Sequence, residues 1–101
     1  MHPDYYDANV VEGITQMSFD IEAVQIVCEK LDSYIETIDS NEDYDFIGDL
    51  DNPNQTLMGL MIARGYLRKE IEISSLTVPI LLESESVLNP IIRSLKGSEN
   101  V

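Results

Sequence analysis

The sequence predicts an all-α fold, a small single-domain helical bundle, and three observations carry that prediction. Apolar residues in the segment 18–40 recur at steps of three and four, the period of a helix face. Asn52-Pro53 and Asn89-Pro90 each join a strong N-cap residue to a proline, the residue favoured at a first helical position. Lys96-Gly97 reads as a helix C-terminal signature. At 101 residues the chain is long enough for one domain with one modest core, and its 44% apolar content argues against wholesale disorder.

The first seventeen residues give the weakest signal. Tyr5, Val10, Ile14 and Met17 allow helical spacing, but Gly13 interrupts it at about 1 kcal/mol relative to alanine. The expectation is a loosely packed N-terminal arm over 1–17, with a turn or two of helix near 4–12. The next segment is the clearest in the chain, a long amphipathic helix over about 18–40. Ser18 is the expected N-cap, and Asp20 and Glu22 stand in the first turn, where carboxylates suit the helix dipole. Val24, Val27, Cys28, Leu31, Tyr34, Ile35 and Ile38 form an apolar stripe. Glu22, Gln25, Glu29, Asp32, Glu36 and Asp39 recur on the other side. Like charges stacked three and four apart are unfavourable by about 0.2–0.5 kcal/mol per pair. This helix therefore carries a local electrostatic penalty.

An acidic loop follows over 41–52, with Gly48 and Pro53 marking irregular chain. Tyr44, Phe46, Ile47 and Leu50 are available to tuck it against the core. A second helix is predicted over about 53–73, capped by Asn52, with Leu57, Leu60, Met61, Arg64, Leu67 and Ile71 on one face and Met58, Ile62 and Tyr66 on a neighbouring one. Gly59 and Gly65 suggest close packing against another backbone. Glu70-Ile-Glu-Ile73 alternates with period two, so a short strand there is an alternative. A broken third helix is predicted over about 78–96: Thr77 caps a segment near Pro79, and Pro90 breaks the helix at Asn89. Residues 98–101 are expected to fray.

Charge is divided unequally along this chain. Residues 1–51 hold fourteen Asp and Glu against one base, Lys30, whereas residues 52–101 hold five acids and five bases, so the net charge of −13 belongs to the first half. Such a field attracts cations and basic surfaces and repels nucleic acid and anionic membranes. It exceeds the magnitude of about 2–8 that keeps a small domain soluble, which favours a functional reason for it.

Several chemistries fail on residue counts and spacing. One cysteine, Cys28, forbids an internal disulfide, and one histidine, His2, rules out a Cys₂His₂ zinc site. The acidic loop fits no EF-hand register: counted from Asp39, loop positions 6 and 12 are Tyr44 and Leu50, and counted from Asp43, positions 5 and 12 are Ile47 and Asn54. Paired carboxylates on solvated faces lack the desolvated cleft that general acid–base work requires. Cys28 lies on the apolar stripe and reads as a small core hydrophobe. Arg64, Arg68, Lys69, Arg93 and Lys96 are expected to pair internally with the acidic half, with Arg64 reaching a carboxylate or a partner subunit. No cofactor and no metal are expected. The start of the chain lacks the basic and apolar regions of a signal peptide, no stretch has the length of a membrane span, and a reducing cytoplasm is the expected location.

The resulting expectation is a small acidic, non-enzymatic binding protein, either an inhibitor or immunity-type protein or a DNA mimic. Its partner-binding carboxylates are Glu22, Glu29, Asp32, Glu36, Asp39, Glu42, Asp43, Asp45, Asp49 and Asp51, and its partner is a basic protein surface, such as that of a nucleic-acid-binding protein or nuclease. The alternative is a cytoplasmic chaperone or adaptor whose apolar face, Met58, Ile62 and Tyr66, recognises a partner or builds a homo-oligomer. A small-ligand or metal sensor has only the acidic loop and an inter-helix space behind it.

Overall fold

A computed structural model of the chain describes residues 4–40, 50 and 52–99, with side chains over 10–40, 50 and 52–95. Among them are five helices and no strand: α1 (Asp4–Met17), α2 (Ile21–Asp39), α3 (Pro53–Leu67), α4 (Val78–Leu82) and α5 (Glu85–Glu99). The fold is all-α. The helix α2 packs along α3, α3 also packs on α4, and α1 closes the bundle against α5 and α4.

The N-terminal arm is a helix of fourteen residues rather than a loose segment. Val10 and Ile14 are fully buried, and Met17 nearly so, because residues 10, 14 and 17 fall on one face that α5 covers. Gly13 makes that approach close. A Cβ there would stand 3.0 Å from two side-chain carbons of Ile92. The glycine that lowered the helical expectation is what lets α5 reach the helix.

A longer α1 also consumes the expected cap of α2. Ser18 closes the end of α1, its hydroxyl donating to the Thr15 carbonyl at 2.6 Å and its N–H to the Ile14 carbonyl at 3.1 Å. Asp20 is the N-cap instead, accepting from the Glu22 and Ala23 N–H groups at 3.1 and 3.2 Å. The apolar stripe of α2 is buried as Val27, Cys28, Leu31, Ile35 and Ile38.

Asn52 caps α3 as expected, its side-chain oxygen accepting from the Gln55 N–H at 3.4 Å, with Pro53 in the first turn. The helix ends at Leu67, six residues before the predicted end at 73. The Glu70 N–H reaches back to the Gly65 carbonyl at 2.8 Å and the Lys69 N–H to that of Tyr66 at 3.0 Å. Those two bonds are a Schellman stop, and Lys69 holds the left-handed position (φ 63°) that glycine ordinarily takes. Residues 72–74 take no regular form, and no strand is present among the described residues.

The break near the C-terminus falls at Glu83-Ser84, not at Asn89. Thr77 precedes α4 without capping it by side chain; its hydroxyl accepts from the Ser74 N–H at 2.8 Å. Pro90 lies inside α5. A proline in a helix interior costs about 3 kcal/mol. Against that stand Val87, Leu88, Ile91 and Ile92, all buried on one face of α5. Each such side chain is worth about 1.5–3 kcal/mol on burial. Only an uninterrupted register across Pro90 keeps all four on one side, so packing wins. The helix also runs past Lys96-Gly97 to Glu99.

At the centre, α3 crosses α4 and the turn after it with almost no separation. A Cβ on Gly59 would lie 2.7 Å from the Ile80 carbonyl oxygen and 2.7 Å from the Ser84 hydroxyl. Leu60, Leu81, Leu88 and Leu31 fill the space around that crossing and are fully buried. The radius of gyration, 13.0 Å, matches the value of about 13 Å for a compact domain of 100 residues.

Candidate docking surface

The two faces of α2 have separate fates. Its inner face is buried against α3, and its outer face presents Glu22, Gln25, Ile26, Glu29, Lys30, Ser33, Glu36 and Asp39 to solvent. Four of the sequence-selected carboxylates, Glu22, Glu29, Glu36 and Asp39, therefore lie exposed on one side of one helix. None of the four takes part in an ion pair among the described residues. Glu42, Asp43, Asp45, Asp49 and Asp51 lie outside the described residues, as does most of the acidic loop. Leu50 is half-buried against the core.

Asp32 differs from its neighbours. Arg64 Nη1 meets its Oδ1 at 2.9 Å, and Arg68 Nη2 meets its Oδ2 at 2.8 Å. The two arginines stand one turn apart on α3 and its C-cap, so both heads reach the same carboxylate across the α2–α3 seam. Asp32 sits three residues after Glu29 and four before Glu36. Its neutralisation interrupts the row of like charges at its centre and lowers the repulsion that the sequence implies. It also withdraws Asp32 from any surface offered to a partner.

The same seam holds Cys28. Burial pushes its thiol above the ordinary range, and the guanidinium of Arg68, within hydrogen-bonding reach, offsets part of that rise. The thiol is buried, protonated at neutral pH and unsuited to nucleophilic work. Among the described residues no three His, Cys, Asp or Glu side chains are grouped to hold a metal ion, and no helix is long and apolar enough to cross a membrane.

The predicted apolar face is split. Met58 is 53% exposed, whereas Ile62 and Tyr66 are half-buried and pack on the core. Met61, three residues from Met58, is 45% exposed, although its spacing in the sequence sets it on the other face, with Leu57 and Leu60. Phe19, Ile21 and Ile26 are exposed apolar residues that sequence reasoning passed over. A signal for Ile26 exists in the sequence: Glu22, Ile26, Glu29, Ser33 and Glu36 recur at steps of four and three, which places an isoleucine in the polar row.

Comparison with protein-family models, with curated proteins and with solved structures finds no match to this chain.

Proposed function

We propose that this chain is a non-enzymatic binding protein whose α2 outer face docks onto a basic protein surface. The observation that carries the reading is the row Glu22, Glu29, Glu36 and Asp39, exposed and outside any ion pair among the described residues, while the neighbouring Asp32 is held by two arginines. Two of the chain's arginines, Arg64 and Arg68, converge on Asp32 in the seam, and the outer row stays outside any ion pair among the described residues. At a net charge of −13 the remaining field steers a cationic partner from a distance, giving fast association that slows with salt. An inhibitor or immunity-type protein that covers a basic site, or a DNA mimic whose carboxylates stand in for phosphates, uses this arrangement. The absence of desolvation around these carboxylates and the protonated, buried Cys28 thiol weigh against catalysis.

The test uses the tagged chain as bait in extract of its source cells, beside a Glu22→Lys, Glu29→Lys, Glu36→Lys variant that leaves the Asp32 seam intact. The expected result is a cationic protein captured at low salt, released at high salt and lost from the variant. The same capture by both baits overturns the reading. A second reading, an adaptor recognising its partner through apolar contact, is favoured by the exposure of Met58 and Met61 on α3. Under that reading Met58→Glu, not charge reversal, abolishes capture.

A further inference from the structure

Three of the large apolar side chains left in solvent share one stretch of chain beside the acidic face, the others, Met58, Met61, Ile71 and Leu76, belonging to α3 and the chain after it. Phe19 is 83% exposed, Ile21 76% and Ile26 55%, all within the α1–α2 turn and the first half of α2. They are not on loose chain. The turn is closed by the Phe19 N–H on the Gln16 carbonyl at 3.2 Å and the Asp20 N–H on that of Met17 at 2.9 Å, and Asp20 caps the helix that follows. Ser18, in the same turn, lines a concavity of about 270 Å³ with Tyr66, Lys69, Glu70, Ile71 and Glu72, so the exit of α3 lies beside it. Ile71 there is itself 37% exposed. The α1–α2 turn and the exit of α3 thus meet at one edge of the bundle.

The charges framing this edge are mostly of one sign. Asp20, Glu22, Glu29, Glu70 and Glu72 stand against Lys30 and Lys69. A second copy of the chain is opposed by its own charge of −13, and anionic membranes and nucleic acid are opposed by the same field. The matching occupant has apolar side chains flanked by cations. We propose that the α1–α2 turn and the first half of α2 seat an amphipathic cationic segment of a partner protein, its apolar residues covering Phe19, Ile21 and Ile26 and its Lys or Arg residues facing the surrounding carboxylates. The inference rests on the reading of the α2 outer face as a docking surface and adds what anchors the partner: charge brings it, and apolar contact keeps it. A partner held through phosphate-binding groups alone has nothing to place on these side chains, which favours inhibition of a protein with an amphipathic basic element over plain DNA mimicry.

The test titrates the full chain, labelled for amide NMR, with two synthetic peptides of equal positive charge. One has leucines at steps of three and four among lysines; in the other every leucine is serine. The expected result is that the leucine peptide binds at least about tenfold more tightly, moves resonances of residues 18–29, and loses that preference in a Phe19→Ser, Ile21→Ser variant. Both positions are solvent-exposed, so the variant retains the fold, which its far-ultraviolet circular dichroism checks. Equal binding of both peptides on the α2 outer face, unaffected by the double variant, overturns the inference and leaves the electrostatic reading standing. Resonances shifting around Met58 and Met61 instead overturn it in favour of the apolar face of α3. If neither peptide moves any resonance of α2, both the inference and the reading beneath it fall.

Discussion

The neighbouring helices α2 and α3 lie against each other and could hardly be built more differently. The helix α2 has one job on each side: Val27, Leu31, Ile35 and Ile38 face the core, and Glu22, Glu29 and Glu36 face water. The helix α3 is covered on two sides, by α2 and by α4, and buries Thr56, Gly59, Leu60, Ala63, Gly65 and Leu67 around much of its circumference. Helix α2 is held by apolar side-chain area and by the two ion pairs of Asp32. Helix α3 is held by small residues that let other backbones come close. A helix at the edge of a bundle keeps a free face for something else, whereas a helix at the centre has little to offer. The exception on α3 is the strip with Met58 and Met61.

The sharpest way to break this contrast is Gly59→Ala. The added methyl meets the Ile80 carbonyl oxygen and Ser84 at 2.7 Å, and a backbone atom cannot rotate away. Despite alanine's better helix propensity, a loss of about 3 kcal/mol is expected in urea unfolding, with Ile26→Ala on α2 staying within about 0.5 kcal/mol. A smaller loss for Gly59→Ala than for Ile26→Ala would show that α3 is not the tightly packed helix of the pair.

Next in size is the ion triad that joins the two helices. Its side chains are 25–42% exposed, so solvent screening limits each pair. Asp32→Asn is expected to lower stability by about 1 kcal/mol, and a double-mutant cycle with Arg64→Met should return a coupling of a few tenths of a kcal/mol or more. Zero coupling would mean that the seam is held by packing alone and that Asp32 is as free as Glu29.

The smallest effect sharpens the outer face. Glu29→Lys removes one member of a crowded acidic row and is expected to raise stability by about 0.3 kcal/mol at low ionic strength, with the gain fading as salt approaches 1 M. A loss of stability instead would reveal a partner for Glu29 within the chain.

Much of α2 was legible because a helix packed on one side writes that fact into its sequence as two stripes. The Asn52-Pro53 start of α3 was legible for a similar reason, since capping is a local exchange of hydrogen bonds. Errors came where distant contact decided. Gly13 reads as a helix breaker until Ile92 is placed against it. Pro90 reads as a stop until the burial of residues on both sides of it is counted. Lys69 gives no glycine signal for the end of α3, although its backbone takes glycine's usual conformation. On the candidate surface, the exposed acids could be named from spacing, but the withdrawal of Asp32 could not. Nothing local distinguishes it from Glu29 or Glu36.

By itself the sequence determined the helical class, the position of α2, the burial of its apolar stripe and the concentration of negative charge in the first half of the chain. These follow from periodicity, capping and composition, which act over one or two turns of chain. The tertiary structure alone decided that the N-terminal segment is a helix of the core, that the final break falls at Glu83-Ser84, and that two arginines of the second half converge on one aspartate of the first. Each depends on which surfaces meet across the bundle, and the free energy of those meetings exceeds the local preferences that point the other way.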